Sequence, residues 1–197
     1  MTGDDAAHVS GAPNAGPAEA FRIARRRFMS GERIDMQDLA RDLGVDRSTL
    51  FRWVGNRDTL LVSVLTSLTD PTLARIEASL DETGARRIAR AAGAYAEALL
   101  SASYYRVFLR REPERALRLI TTKESHLQQH VVNRFEKMIT HERETGLLRH
   151  PLDAHDLAYL VVRVIESFVY SDLITGDEPN AEKVEAAIAV VVRVDSD

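Results

Sequence analysis

The sequence predicts an all-α fold in two parts: an N-terminal three-helix domain holding a helix-turn-helix, and a larger helical C-terminal domain. Three observations point there. Strand-like alternation of apolar and polar residues is absent along the 197 residues. Apolar side chains instead return at spacings of three and four. Glycine and proline fall between stretches of helical length.

The first sixteen residues are rich in Gly, Ala, Pro, Asn and Asp and predict a disordered tail over 1–16. Pro17 suits the first turn of a helix, with Phe21, Ala24 and Phe28 on one face and Arg22, Arg25 and Arg26 elsewhere. Gly31 ends it. Asp35 can cap a short helix whose inward face is Met36, Leu39, Ala40 and Leu43. Gly44 stands where that helix must stop and the chain must turn, a position suited to positive φ. Val45 packs into the angle. Asp46 or Ser48 caps the next helix, with Leu50 and Val54 as its buried edge. Gly55-Asn56 closes it. A fourth helix runs from 56 to about 69, where Asp70-Pro71 breaks or bends it and sets a domain boundary: 17–70 before, 71–197 after. Further helices are expected at about 84–102, 103–111, 113–121, 123–145, 153–175 and 179–194, separated by Gly84, Pro113, Gly146, Pro151, Gly176 and Pro179.

Residues 34–60, two very short helices about a glycine turn, have the form of a device that places one helix in the major groove of DNA. Ser48 and Arg52 point away from Leu50. Arg47 lies at the helix start, where backbone N–H groups and a guanidinium can meet a phosphate. The segment resembles the DNA-binding region of the TetR family of bacterial transcription regulators. The resemblance rests on Leu39-Ala40, Gly44-Val45-Asp46, Thr49-Leu50-Phe51, Trp53-Val54, Arg57 and Leu60-Leu61, in register without a gap. There are departures. Phe51 stands where the family usually has Tyr, so one phosphate-contacting hydroxyl is missing. Val54 replaces the usual Phe, with Trp53 beside it to make up volume. Arg57 replaces the usual Lys, and Ile34-Asp35 the usual Thr-rich cap. The DNA-binding residues this implies are Arg47, Ser48, Thr49, Phe51, Arg52, Trp53 and Arg57.

Charge is distributed accordingly. The net charge is −4, but residues 20–60 carry nine arginines against six acids, a local +3. The acidic remainder keeps DNA off the rest of the surface. There are no cysteines, which removes disulfides and thiolate metal sites and agrees with a cytoplasmic location. No run of about 18 apolar residues exists, so no membrane span is expected, and the N-terminus lacks the form of a signal peptide.

In the C-terminal part, the stretches 153–175 and 179–194 are apolar over more than one face, which a chain this small cannot bury alone. The resemblance implies the same: a homodimer through these two helices, paired as a four-helix bundle. It also implies a pocket for a small organic effector between the DNA-binding domain and the dimer helices. Tyr95, Tyr104, Tyr105, Phe108, His126, His130 and Glu166 are the candidates, as apolar walls with polar tips. Each of them is otherwise ordinary core or surface. Glu166, inside an apolar run, reads either as an ion pair with Arg163 or as a polar contact for the effector. His126 and His130 are spaced i, i+4, but no third ligand declares itself, so no metal is expected. Paired carboxylates, a Ser/His/Asp set and a glycine-rich phosphate loop are absent, so neither enzyme activity nor a cofactor is expected. Two stretches, MQDLARDLGVDRSTLFRWVGNRDTLL and ESFVYSDLI, are similar to the QsdR-like subgroup, regulators of lactone quorum-signal degradation. That similarity implies a repressor with a γ-lactone or acyl-type effector. The rival reading is a small-molecule binding protein without DNA binding, against which Arg47, Arg52 and Arg57 argue.

Overall fold

The structure is a computed structural model that describes residues 16–122 and 125–193. The predicted tail, apart from Gly16, lies outside the described residues. Those residues form eleven helices and no strand: α1 Pro17–Met29, α2 Met36–Asp42, α3 Arg47–Val54, α4 Arg57–Ser79, α5 Gly84–Ser101, α6 Ser103–Arg111, α7 Pro113–Thr121, α8 Leu127–Glu144, α9 Ala154–Val169, α10 Ser171–Ile174 and α11 Ala181–Val191. The chain divides into two compact units, Met1–Val64 and Leu65–Asp197.

In the first unit, α1 packs on α2 and α3, and α2 on α3. The buried face of α1 is Ala20, Ile23, Ala24 and Phe28. Phe21, expected on that face, is only half-buried, because the inward arc is centred on Ile23 and Ala24. Asp35 caps α2 by accepting from the N–H groups of Gln37 (2.8 Å) and Asp38 (3.1 Å). Gly44 takes φ +65°, which lets the Val45 N–H return to the Ala40 carbonyl at 3.0 Å and swings α3 away. Leu39, Leu50, Leu60 and Leu61 are fully buried around this turn.

The helix α4 continues through Asp70-Pro71 to Ser79, which corrects the expected break near residue 69. An interior proline costs roughly 3 kcal/mol or more in an isolated helix. Here the far side is held down by the buried Leu73 and Ile76. Arg87 also donates to the carbonyls of Glu77 and Leu80 at the helix end.

In the second unit, α5 is the central helix. α11 packs along it, α9 lies against α5, α8 and α11, and Phe135, Ile139, Leu157, Val161 and Ile188 fill the space between. Two expected helices are shorter than the sequence suggested. α8 starts at Leu127, after His126 in a left-handed conformation (φ 60°). α9 ends at Val169, where Tyr170 leaves helical geometry and the short α10 follows. Among the described residues no helix is long and apolar enough to cross a membrane.

Candidate nucleic-acid interface and effector cavity

The start of α3 is fixed by Asp46. Its carboxylate accepts from the Ser48 hydroxyl (2.6 Å), the Thr49 N–H (2.8 Å) and the Thr49 hydroxyl (2.9 Å). Of the two caps the sequence offered, Asp46 is the one used. The Ser48 hydroxyl bond, followed by the two from Thr49, holds this carboxyl well below the usual carboxylate range. It therefore stays ionised at the positive end of the helix. Beyond the cap, Arg47, Ser48, Phe51 and Arg52 are exposed along one strip of α3, while Thr49 and Trp53 are half-buried. Phe51 is 56% exposed, an apolar ring turned to solvent beside two arginines. The Arg52 guanidinium donates to the Thr49 hydroxyl at 3.2 Å and projects from the strip. Such a face has the components of groove reading: forked donors for base edges or phosphates and an apolar contact for a thymine methyl.

Arg57 is anchored at the start of α4. Its Nε donates to the Ile34 carbonyl at 2.5 Å, which ties the start of α4 to the residue before the α2 cap. Its side chain is part of the unit's framework rather than a freely projecting cation. A second basic feature, not expected from the sequence, is an open groove on α1 lined by Phe21, Arg22, Arg25, Arg26 and Met29. The run Arg25-Arg26-Arg27 was its signal.

In the second unit two small cavities, about 40 Å³ and about 30 Å³, share the walls Leu65, Thr69, Tyr95, Leu99 and Tyr105. The first extends to Leu68, Thr72 and Tyr104. The second extends to Gln128, Val162, Ile165, Glu166 and Tyr170. Of the candidate effector residues, Tyr95, Tyr104, Tyr105 and Glu166 come together here. Phe108 is buried elsewhere in the core, and His126 and His130 do not line the space. His130 bonds instead to Asp70 at 2.7 Å. Thr69, Gln128 and Tyr170 were missed, although Tyr170 is the one hydroxyl-bearing ring in the apolar run after Glu166.

Glu166 is paired with Arg163 and also lines the second cavity. Its carboxylate accepts from Arg163 at 2.7 Å and from Gln128 at 3.0 and 3.2 Å, and it also faces the cavity. Burial pushes this carboxyl above its ordinary value of 4.5, with the Gln128 bond and the Arg163 charge pulling it back. A raised native pKa means that the folded chain holds this proton more tightly than the unfolded chain. The contribution is full below the ordinary value and is lost as pH rises through the raised one. Glu166→Gln is therefore expected to flatten the fall in stability on going from about pH 5 to about pH 7.5. Urea midpoints of both proteins at the two pH values check this; parallel curves count against it. Among the tyrosines, burial raises Tyr95 to about 12, against a bond to Thr69. It also pushes Tyr105 and Tyr170 well up. All three phenols keep their protons at neutral pH.

The comparisons agree with this geometry. Residues 83–193 match the family model "Tetracyclin repressor-like, C-terminal domain", more than half of the chain. Among solved structures, the R. erythropolis transcriptional repressor QsdR of the TetR family superposes with TM-score 0.82 at 27% identity, covering 89% of this chain and 93% of that one. A TetR-family regulator from Pectobacterium atrosepticum shares the fold at TM-score 0.61 and 18% identity, with 89% of both chains covered. FadR from Bacillus subtilis, solved with stearoyl-CoA, shares it at TM-score 0.58 and 12% identity, covering 89% and 96%. No curated protein matches the sequence. With a capped recognition helix in one unit and a polar-tipped cavity in the other, the chain belongs to the TetR family of DNA-binding, ligand-responsive transcriptional regulators.

Proposed function

We propose that this protein is a homodimeric repressor, released from its operator by a small uncharged organic effector of the lactone or acyl type. The observation that carries the DNA-binding part is the exposed strip Arg47, Ser48, Phe51 and Arg52 on a helix whose start is locked by Asp46. The sign of regulation is taken from QsdR, which is named a repressor. DNA binding is assigned to 17–70 and effector binding and dimerisation to 71–197, a boundary six residues beyond the division of the two compact units after Val64.

Dimerisation is supported by what α9 and α11 leave outside. Tyr159 is 49% and Val190 73% exposed on the two helices expected to pair. A second copy laid on these faces forms a four-helix bundle, and a two-fold dimer supplies the two recognition helices that an operator of two half-sites needs.

The small size of the cavities supports release by an opening of this unit. A pre-formed ligand site measures about 300–1,000 Å³, several times the space here. An effector must push the walls apart, so it binds an opened conformation better than this one and shifts the population toward it. α4 contributes Leu65, Leu68, Thr69 and Thr72 to those walls, and its first turn begins just after the recognition helix. Coupling of about 1–3 kcal/mol is the usual order for such a system.

A gel-shift on the DNA upstream of the protein's own gene, with and without candidate effectors, tests the reading. Arg52→Ala is expected to weaken the specific complex by about 1–3 kcal/mol and to relax discrimination between operator variants. Unchanged affinity and unchanged discrimination would remove α3 from the interface.

A further inference from the structure

Tyr105 and Tyr170 meet hydroxyl to hydroxyl at 2.6 Å in the wall of the second cavity, with both rings buried. Two phenols bring two protons, and their mutual bond uses one. Neither hydroxyl has another partner among the described residues. One O–H is therefore left without an acceptor in a wall shielded from solvent, and buried donors of this kind are rarely left so. The same cavity holds a complementary group. The Glu166 carboxylate accepts three bonds, two from Gln128 and one from Arg163, and a carboxylate has about four lone-pair sites. It has room for one more donor. Leu65, Leu99, Val162 and Ile165 complete the wall with apolar surface.

We propose that the Tyr105–Tyr170 pair donates its spare proton to a carbonyl oxygen of the effector while Glu166 accepts from an N–H or O–H beside that carbonyl. The effector class is then an uncharged amide or hydroxycarbonyl compound on a short apolar chain. The assignment rests on the effector-cavity reading above. A carboxylate ligand meets repulsion from Glu166. An amine pairs with Glu166 but leaves the tyrosine proton unmet. A plain ester or lactone satisfies the tyrosines alone, so within the lactone and acyl types proposed above the cavity favours a compound that also carries a hydrogen-bond donor beside its carbonyl.

The test uses the full-length protein and a six-carbon series: hexanamide, N,N-dimethylhexanamide, hexanoate and hexylamine, measured by calorimetric titration. Hexanamide binds best. The dimethyl compound, which keeps the carbonyl but has no donor, binds more weakly, and the two charged probes more weakly still. The tyrosine variants give a distinctive pattern. Tyr105→Phe and Tyr170→Phe each leave one hydroxyl with its own proton, so each lowers hexanamide affinity less than about threefold, whereas the double variant lowers it about tenfold or more. Glu166→Gln reduces the advantage of hexanamide over its dimethyl analogue. Tighter binding of hexanoate or hexylamine than of hexanamide overturns the proposal, as does a double variant that binds like the wild type. Those results leave the cavity reading standing. If no probe binds a protein that still shifts its operator, both fall. The wild-type ranking decides even where a variant fails to fold.

Discussion

Gly84→Ala is expected to destabilise the second unit by about 3–5 kcal/mol, combining a left-handed backbone with a collision. Gly84 begins α5 at φ +59°, and a Cβ there lies 2.3 Å from the Leu147 carbonyl oxygen. That neighbour is backbone and cannot rotate aside. The Gly84 N–H also donates to the buried Glu142 carboxylate at 2.6 Å, a group whose only cationic partner among the described residues is Arg87 at 3.5 Å. Any shift that relieves the collision pulls on this bond. Gly146 provides the control: its φ is +75°, but a Cβ there meets nothing within 4 Å. Gly146→Ala carries only the conformational penalty, roughly 1–2 kcal/mol. Urea unfolding of both variants at unchanged m reads the difference. Equal midpoints remove the collision from the explanation. A domain stabilised by about 5–15 kcal/mol has little left after the larger loss.

The second large effect separates folding from association. Ile188 lies wholly inside the chain, on the buried side of α11, which packs against α5 and α9, while Val190 is 73% exposed. Ile188→Asp therefore places an unpaired carboxylate in the monomer's own core and is expected to cost about 4 kcal/mol or more, enough to unfold the unit. Ile188 is thus a folding residue within the stretch 179–194 that the sequence marked as apolar over more than one face. Val190→Asp should leave the monomer's melting behaviour nearly unchanged and weaken the dimer about a hundredfold, roughly 3 kcal/mol. Sedimentation at micromolar concentration, with circular dichroism for folding, tells the two apart. A Val190→Asp protein that still sediments as a dimer and grips a two-half-site operator places the interface on another face.

The first unit was legible because its determinants are local. Asp35, Gly44 and Asp46 act on residues within four positions of themselves, and spacing alone shows such relations. Helix existence was legible throughout for the same reason. What escaped depends on distance. Tyr105 and Tyr170 are sixty-five residues apart, and Gln128 reaches Glu166 across thirty-eight; no periodicity records such meetings. Phe108 and the two histidines were chosen for their chemistry, but none of the three lines either cavity. The end of α4 was misplaced because proline carries a strong local penalty, and the burial of Leu73 and Ile76 that outweighs it is tertiary. The inward side of α11 likewise showed only as apolar; which valine or isoleucine is buried depends on its packing against α5 and α9.

Pro71 supplies no amide hydrogen to the ladder of α4, and the helix carries it between Thr69 and Thr72, two residues of the cavity wall. Regarded as an elastic rod, α4 is notched beside the cavity, where the effector proposed above would press on it. A uniform rod spreads a sideways load along its whole length as slight curvature. A notched one concentrates the same work into an angular deflection at a single turn, so a displacement of a fraction of an ångström at the wall is converted into tilt, and the two stiff segments on either side swing without deforming.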